Sequence, residues 1–451
     1  MTKPVTSSKY IKNDREPKFM HILAILLLVS IEIMPPYFGI PTPGFALTAV
    51  RIMLLVVLFM IMANKDRFNT FRNYLKKSTV TKVIAPFVFV TFYTAVLRTD
   101  VKAFLNPFIE FALMYLTIYV IKDTLGIEKT IKIMIVLLYI LTIQGVIEYF
   151  TQESLFKMLG TIKELMGVGF VRSGQYRIMG PCVHSLAYAL LLVLAFPLIS
   201  LDLEKKEVYL FKRPIIFMLV FLNVILTGSR SALGVFLIEC FLIFLFSNSL
   251  SKKKTIFYTG IAAGFLVVFL IIFGRTSIGS YILLQFTSVI DGVFGTSISL
   301  QFGGNDMLEY SSSYRKLLLK IFSVSWLNPL LGRGTTSTIR IAIDSTALES
   351  IDNYYVGLYI FYAYPGMFSF IFILAFYLFR MLKHIIKTNN YITKALIISF
   401  GAYALSIYWV DVLSTLKNLY IILALFICIY ESKDDNTDEV QKVKYEGYIK
   451  Q

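Results

Sequence analysis

Apolar runs of membrane-crossing length recur along most of this chain, and they constrain its fold more than any other feature. A helix needs about 20 predominantly apolar residues to cross a bilayer, and its backbone polar groups must be satisfied within the segment itself. Phe19–Met34, Ala46–Ala63 and stretches near 83–97, 103–121, 131–150 and 183–200 read this way. So do Pro214–Leu226, Leu233–Phe246, Ile256–Phe273, Tyr354–Phe379, 392–410 and 413–430. Hydrophobic residues make up 57% of the 451, more than a soluble core of this size needs. The pattern predicts an all-α polytopic membrane protein with about twelve transmembrane helices. Phe19–Met34 reads as a retained signal-anchor, because no small-x-small cleavage site follows it.

The formal charge of +16 would suggest a nucleic-acid partner in a soluble chain. Here the basic residues fall in alternate loops: 65–82, Lys122/Lys129/Lys132, Lys205/Lys206/Lys212/Arg213, Lys252/Lys253/Lys254 and Arg380/Lys383/Lys387. Positive charge is retained on the cytoplasmic side, so the expectation is a multi-pass protein of a cytoplasmic membrane with both termini inside and no nucleic-acid partner. The chain then divides into a cytoplasmic tail (1–18), nine spans (19–273), one large external segment (274–352), three spans (353–430) and a solvated tail (431–451). Topology does not account for the arginines this leaves outside: Arg172, Arg177, Arg230, Arg275, Arg315, Arg333 and Arg340.

Other chemistries have little to work with. Cys182, Cys240 and Cys428 lie far apart, and histidines number three, without metal-ligand spacing. No internal repeat suggests the paired halves of a secondary transporter. Acids within the spans are few, with Glu32 and Glu110 as candidates and Glu148 near an end.

The motifs cluster in the expected external segments. Thr227-Gly228-Ser229-Arg230-Ser231-Ala232 joins two apolar runs. Arg230 there either snorkels to lipid phosphates or binds an anionic ligand. Tyr176-Arg177-Ile178-Met179-Gly180-Pro181 puts an arginine and a glycine turn before another span, with His184 a turn later. Arg315–Phe322 has helical spacing, with apolar residues at 317, 318, 321 and 322, and reads as an amphipathic helix. Pro329, Gly332, Arg333 and Gly334 form the turn after it. Asp352 and Asn353 head the span from Tyr354. Asp352 is either the cap of that helix or a general base. Pro365 is expected to kink the helix.

In order and spacing these pieces resemble the O-antigen ligase and Wzy polymerase superfamily of bacterial surface-polysaccharide assembly. The resemblance covers about Arg177 to Gly366. It rests on Arg177 to Gly180, on Ser229-Arg230-Ser231-Ala232, on Arg315, on Pro329, Gly332 and Gly334, and on Asp352-Asn353 followed by Ala363-x-x-Gly366. The chain departs from the pattern twice. Ligases of the superfamily have histidine where this chain has Asp352, and glycine where it has Ala363.

The resemblance implies a GT-C-like glycosyltransferase acting on an undecaprenyl-diphosphate-linked oligosaccharide at the outer face of the membrane. Such a reaction is metal-independent and inverting, and it needs no cofactor. Arg230 and Arg315 would bind the diphosphate, Arg177 and Arg333 would assist, Asp352 would serve as base, and Asn353 would orient the sugar or the carboxylate. Guanidinium groups suit a diphosphate because they pair two oxygens at once and stay charged. The Asp-Asn pair favours a polymerase of O-antigen, capsule or exopolysaccharide. An O-antigen ligase and a lipid-linked oligosaccharide flippase are the alternatives. Membrane lipid, a flippase and a chain-length regulator are the implied partners.

Overall fold

The computed structural model describes residues 17–42, 46–77, 79–167, 169–172, 174–303, 306–335, 342–343, 346–348, 350–412 and 414–431. Arg340 and most of both charged tails lie outside the described residues. The helices are α1 (Lys18–Glu32), α2 (Ala49–Met62), α3 (Lys65–Lys77), α4 (Thr79–Arg98), α5 (Val101–Tyr119), α6 (Ile127–Thr151), α7 (Ser185–Ile199) and α8 (Pro214–Leu226). They continue with α9 (Arg230–Phe246), α10 (Ser249–Phe273), α11 (Ser277–Phe294), α12 (Asp306–Leu319), α13 (Tyr354–Thr388), α14 (Tyr391–Ser406) and α15 (416–431). Among the described residues, strands occur only as short two-stranded hairpins in the linkers.

Among the described residues, five segments are long and apolar enough to cross a membrane: α4, α5 with its extension to Leu125, α6, α10 and α13. Shorter apolar helices, α2, α7, α8 and α14 among them, pack with these. The chain is an all-α membrane protein. Its core is organised around α7, in which every residue from Ala187 to Ile199 is buried against α6, α8, α9 and α14. A helix that is apolar all round belongs inside a bundle or in lipid. α10 is the lipid-facing counterpart, since none of its most apolar window is buried.

The two ends of the bundle differ in character. At one end the linkers knit together through backbone bonds. Thr161 N and Ile162 N donate to Tyr37 O at 3.1 and 2.9 Å, Ile178 N to Leu226 O at 3.3 Å, and Tyr354 N to Ile407 O at 3.0 Å. The other end carries the basic linkers, held by ion pairs such as Lys122–Glu431 at 3.5 Å and Lys212–Asp202 at 2.6 Å.

Two features of the later part of the chain are not read from the sequence. The segment after 274 opens with a helix. α11 buries Tyr281, Leu284, Gln285, Thr287 and Ser288 and packs on α9. It is short, and its polar residues sit among the apolar ones, so its burial escapes a search for long apolar runs. α13 is not merely kinked at its proline. It breaks at Ala363, whose φ of 55° and ψ of −166° are non-helical. The break is sharp enough to bring the Tyr354 ring to 5.3 Å from that of Phe370. The first half, 354–362, therefore folds back over the second.

The turn after Pro329 fills that break. Arg333 N donates to Ile360 O at 2.9 Å, Gly334 N to Phe361 O at 3.1 Å, and Tyr364 N to Pro329 O at 3.1 Å. Backbone groups freed by a broken helix must find partners inside the protein, and this turn supplies them. Gly332 is required there, because a Cβ at that position would lie 2.0 Å from Phe361 O. Ala363, by contrast, holds a conformation that is almost exclusive to glycine. Ala363→Gly is expected to raise stability by about 1 kcal/mol, read as a higher Tm in detergent. An unchanged or lowered Tm would contradict strain at this position.

Candidate functional site

The site is built at the knitted end of the bundle, beginning with the turn between α8 and α9. Gly228 has φ +61°, and a Cβ there would lie 3.0 Å from Arg177 Nε and 3.1 Å from Tyr281 Oη. A side chain at 228 would thus be strained and would press on the arginine. Arg177 is 3% exposed, and its Nε donates to Thr227 O at 2.6 Å. Ser229 Oγ accepts from Ala232 N at 3.3 Å and caps α9, which puts half-buried Arg230 at the first position of the helix. A cation at that position opposes the helix dipole, so local helix stability does not explain it.

The strand Gln175–Arg177 and the turn after it are fixed by Glu148 of α6. The Glu148 carboxylate accepts Met179 N at 2.8 Å, Gly180 N at 2.9 Å, Tyr176 Oη at 3.2 Å and Gln144 Nε2 at 3.3 Å. Four donors on one buried carboxylate satisfy its acceptor capacity, so Glu148 serves as a structural clamp. The turn leads to His184, whose Nδ1 accepts Leu186 N at 3.1 Å and caps α7. Burial pushes the His184 pKa down, the Arg177 charge pushes it further down, and the Asp352 charge opposes both.

Asp352 and Asn353 sit at the start of α13. The cap is Asn353, whose Oδ1 accepts Val356 N at 3.1 Å, and its side chain is buried. Capping occupies the Asn353 carbonyl oxygen. Asp352 is not the cap; its Oδ1 accepts the Ser350 hydroxyl at 3.0 Å. α12 docks alongside. It begins at Asp306, earlier than expected, and buries Leu318, with Ile321 buried just beyond its end. Tyr314 Oη donates to Ser350 O at 2.6 Å and accepts Ser350 N at 3.1 Å, which places the neighbouring Arg315 on the element that braces Asp352.

A further carboxylate joins them. Asp411 lies in the linker between α14 and α15, the linker that receives Tyr354 N. Its carboxyl is pushed up to about 6, first by burial and then by the Asp352 charge, against the Val412 N–H that it accepts. No spacing rule marks this residue in the sequence. A buried carboxyl raised by its surroundings is a common feature of acid–base sites.

The structure therefore brings Arg177 beside the Arg230 turn on one side, and Asp352 with Asp411 on the other. His184 lies within the fields of Arg177 and Asp352. Arg333 is placed elsewhere, with its guanidinium 5.0 Å over the Trp326 ring on the turn that fills the α13 break. Two of the buried acids read from the sequence, Glu32 and Glu110, belong to a separate set with Arg51 and Lys417. Arg51 and Lys417 act electrostatically on Glu110, and Lys417 on Glu32. Glu239 of α9 is another buried acid, and its carboxylate oxygens have no hydrogen-bond partner among the described residues. Among the described residues no group of three or more His, Cys, Asp or Glu side chains is placed to hold a metal ion. The arrangement offers fixed positive charge for an anion beside carboxylates able to take a proton. In comparisons with known proteins, no family model matches the chain and no curated protein matches it.

Proposed function

We propose that the chain is a polymerase of a bacterial surface polysaccharide, a glycosyltransferase of about twelve spans and GT-C-like design. The knitted end faces outward, the basic end faces the cytoplasm, and both termini are cytoplasmic. One observation carries the reading: buried Arg177 donates to Thr227 O in the turn that carries half-buried Arg230, and His184 feels the charges of both Arg177 and Asp352. A sugar diphosphate needs this pairing of cations with a base.

In the proposed reaction the acceptor hydroxyl oxygen attacks the anomeric carbon of the donor. Its proton passes to the Asp352 carboxylate. The bond from that carbon to the diphosphate oxygen breaks, and the diphosphate leaves with the electron pair. Arg177, Arg230 and Arg315 stabilise the growing negative charge, work that preorganised donors do without reorganising during the reaction. Attack from the face opposite the leaving group inverts the anomeric centre.

Purified protein with lipid-linked repeat units and EDTA is expected to yield a ladder of longer lipid-linked chains. Arg315→Ala should insert normally and give about 10²-fold less product, the loss typical of a missing charge-stabilising donor. Full-length polymer from the inserted variant would remove Arg315 from the site. Movement of the substrate across liposomes without a ladder would make the protein a flippase.

A further inference from the structure

The structure contains an apolar groove that the reaction above does not use. It has a cavity volume of about 560 Å³ and is lined by Phe89, Val90 and Leu97 of α4, Leu330 and Leu331 of the turn, and Ser369 of α13. Phe89, Leu97 and Leu330 are 67%, 63% and 68% exposed, so the groove opens sideways along two helices long enough to cross a membrane. Tyr93 Oη donates to Leu330 O at 2.6 Å and helps roof it. The roof is basic. Arg98 Nε donates to Gly332 O at 2.7 Å, and its Nη2 reaches Leu331 O, in the groove lining, at 3.5 Å. The nearby Asp100 carboxylate is engaged by Thr335 N at 2.6 Å, Thr335 Oγ1 at 3.1 Å, and Lys102 N at 3.1 Å.

Apolar walls within the membrane and the Arg98 guanidinium at the rim match one kind of molecule, a long hydrocarbon chain with an anionic head. The groove and the Arg230 turn also belong to different helices, joined only through a chain of neighbours. α4 packs against α13, α13 against α14, and α14 against α9. Asp352 heads α13, the helix that also lines the groove through Ser369.

Resting on the polymerase reading, we propose that this groove holds the polyprenyl chain of the acceptor, with the acceptor's diphosphate at Arg98. The donor's diphosphate then occupies the Arg177 and Arg230 side. A polymerase joins two lipid-linked substrates, and two separate amphiphile sites let both stay on their carriers while their sugars meet at Asp352.

A polyprenyl diphosphate bearing a diazirine near the end of its tail tests this by photolabelling of the full-length protein in vesicles. Label is expected in peptides of α4 and α13, displaced by unlabelled polyprenyl diphosphate and not by phosphatidylglycerol. Ser369→Trp, which fills the groove, should lower that label about tenfold, a loss of about 1.4 kcal/mol in binding. Equal displacement by phosphatidylglycerol, or label confined to other helices, overturns the proposal. If Ser369→Trp does not accumulate, Arg98→Gln should lower labelling by the diphosphate probe but not by the corresponding polyprenyl alcohol. Equal labelling by both probes would overturn the rim assignment. In turnover, Ser369→Trp should lose elongation of full-length lipid acceptors yet keep transfer to one with a truncated, water-soluble tail. Loss of both would give the groove to the donor. Label in the groove with no ladder from wild-type protein would overturn the polymerase reading and leave the lipid site standing.

Discussion

Asp352→Asn is expected to lower chain joining by about 10²–10⁴-fold, the range that a positioned base contributes, without loss of insertion or thermal stability. The amide keeps the shape of the side chain and can still meet the Ser350 hydroxyl, but it cannot take a proton from the acceptor. Stability should hold because Asn353, not Asp352, caps α13. The substitution has a second readout that needs no turnover. Asp352 raises the His184 pKa, whereas burial and Arg177 lower it. Removing the negative charge leaves only the lowering influences, so the His184 imidazole should titrate at lower pH than in wild type. With three histidines in the chain, imidazole NMR can follow the change. Arg177→Gln should shift the same titration upward. A His184 titration unmoved by Asp352→Asn would separate the arginine and carboxylate sides and undo the site as described.

Gly332→Ala is expected to unseat the turn after Pro329. Its methyl group would lie 2.0 Å from the Phe361 carbonyl oxygen, a backbone atom that cannot swing aside as a side chain end can. The turn can relieve the clash only by withdrawing, which strips the Ile360 and Phe361 carbonyls of their donors. Overpacking and unsatisfied buried carbonyls together cost about 3 kcal/mol or more. The first half of α13 should then exchange its amide hydrogens faster, and activity should fall because Asp352 sits at the end of that half. Native protection at 354–362 in the variant would show that the turn does not hold the break.

Much of the architecture is legible in the sequence because lipid demands continuous apolar helices. α4, α6 and α13 announce themselves by length, and the alternation of basic loops matches the two unlike ends of the bundle. The arginine turn is legible as well, since Gly228, Ser229 and Arg230 are an odd set between apolar runs. Three features are not. Asp411 is a lone acid in a short linker, and only the packing of that linker on Tyr354 brings it to Asp352. Asp352 and Asn353 are both good caps by type, and only the fold chooses between them. The depth of the break at Ala363 is hidden because its cause lies in another segment: Pro365 marks a weak point, but the turn near Gly332 turns it into a fold-back.

That fold-back bears on how the protein is made. The Pro329–Gly334 turn precedes α13 in the chain, so it leaves the ribosome before the helix that it will split. An uninterrupted apolar helix entering the membrane alone would run straight through residue 363. With the turn already waiting at the membrane surface, the nascent helix can be bent as it arrives instead of being broken after insertion. Biogenesis of this chain is therefore sensitive to order. A circular permutant that synthesises 351–431 before the turn should insert a straight span and strand Asp352 away from its partners, even though every residue of the site is present.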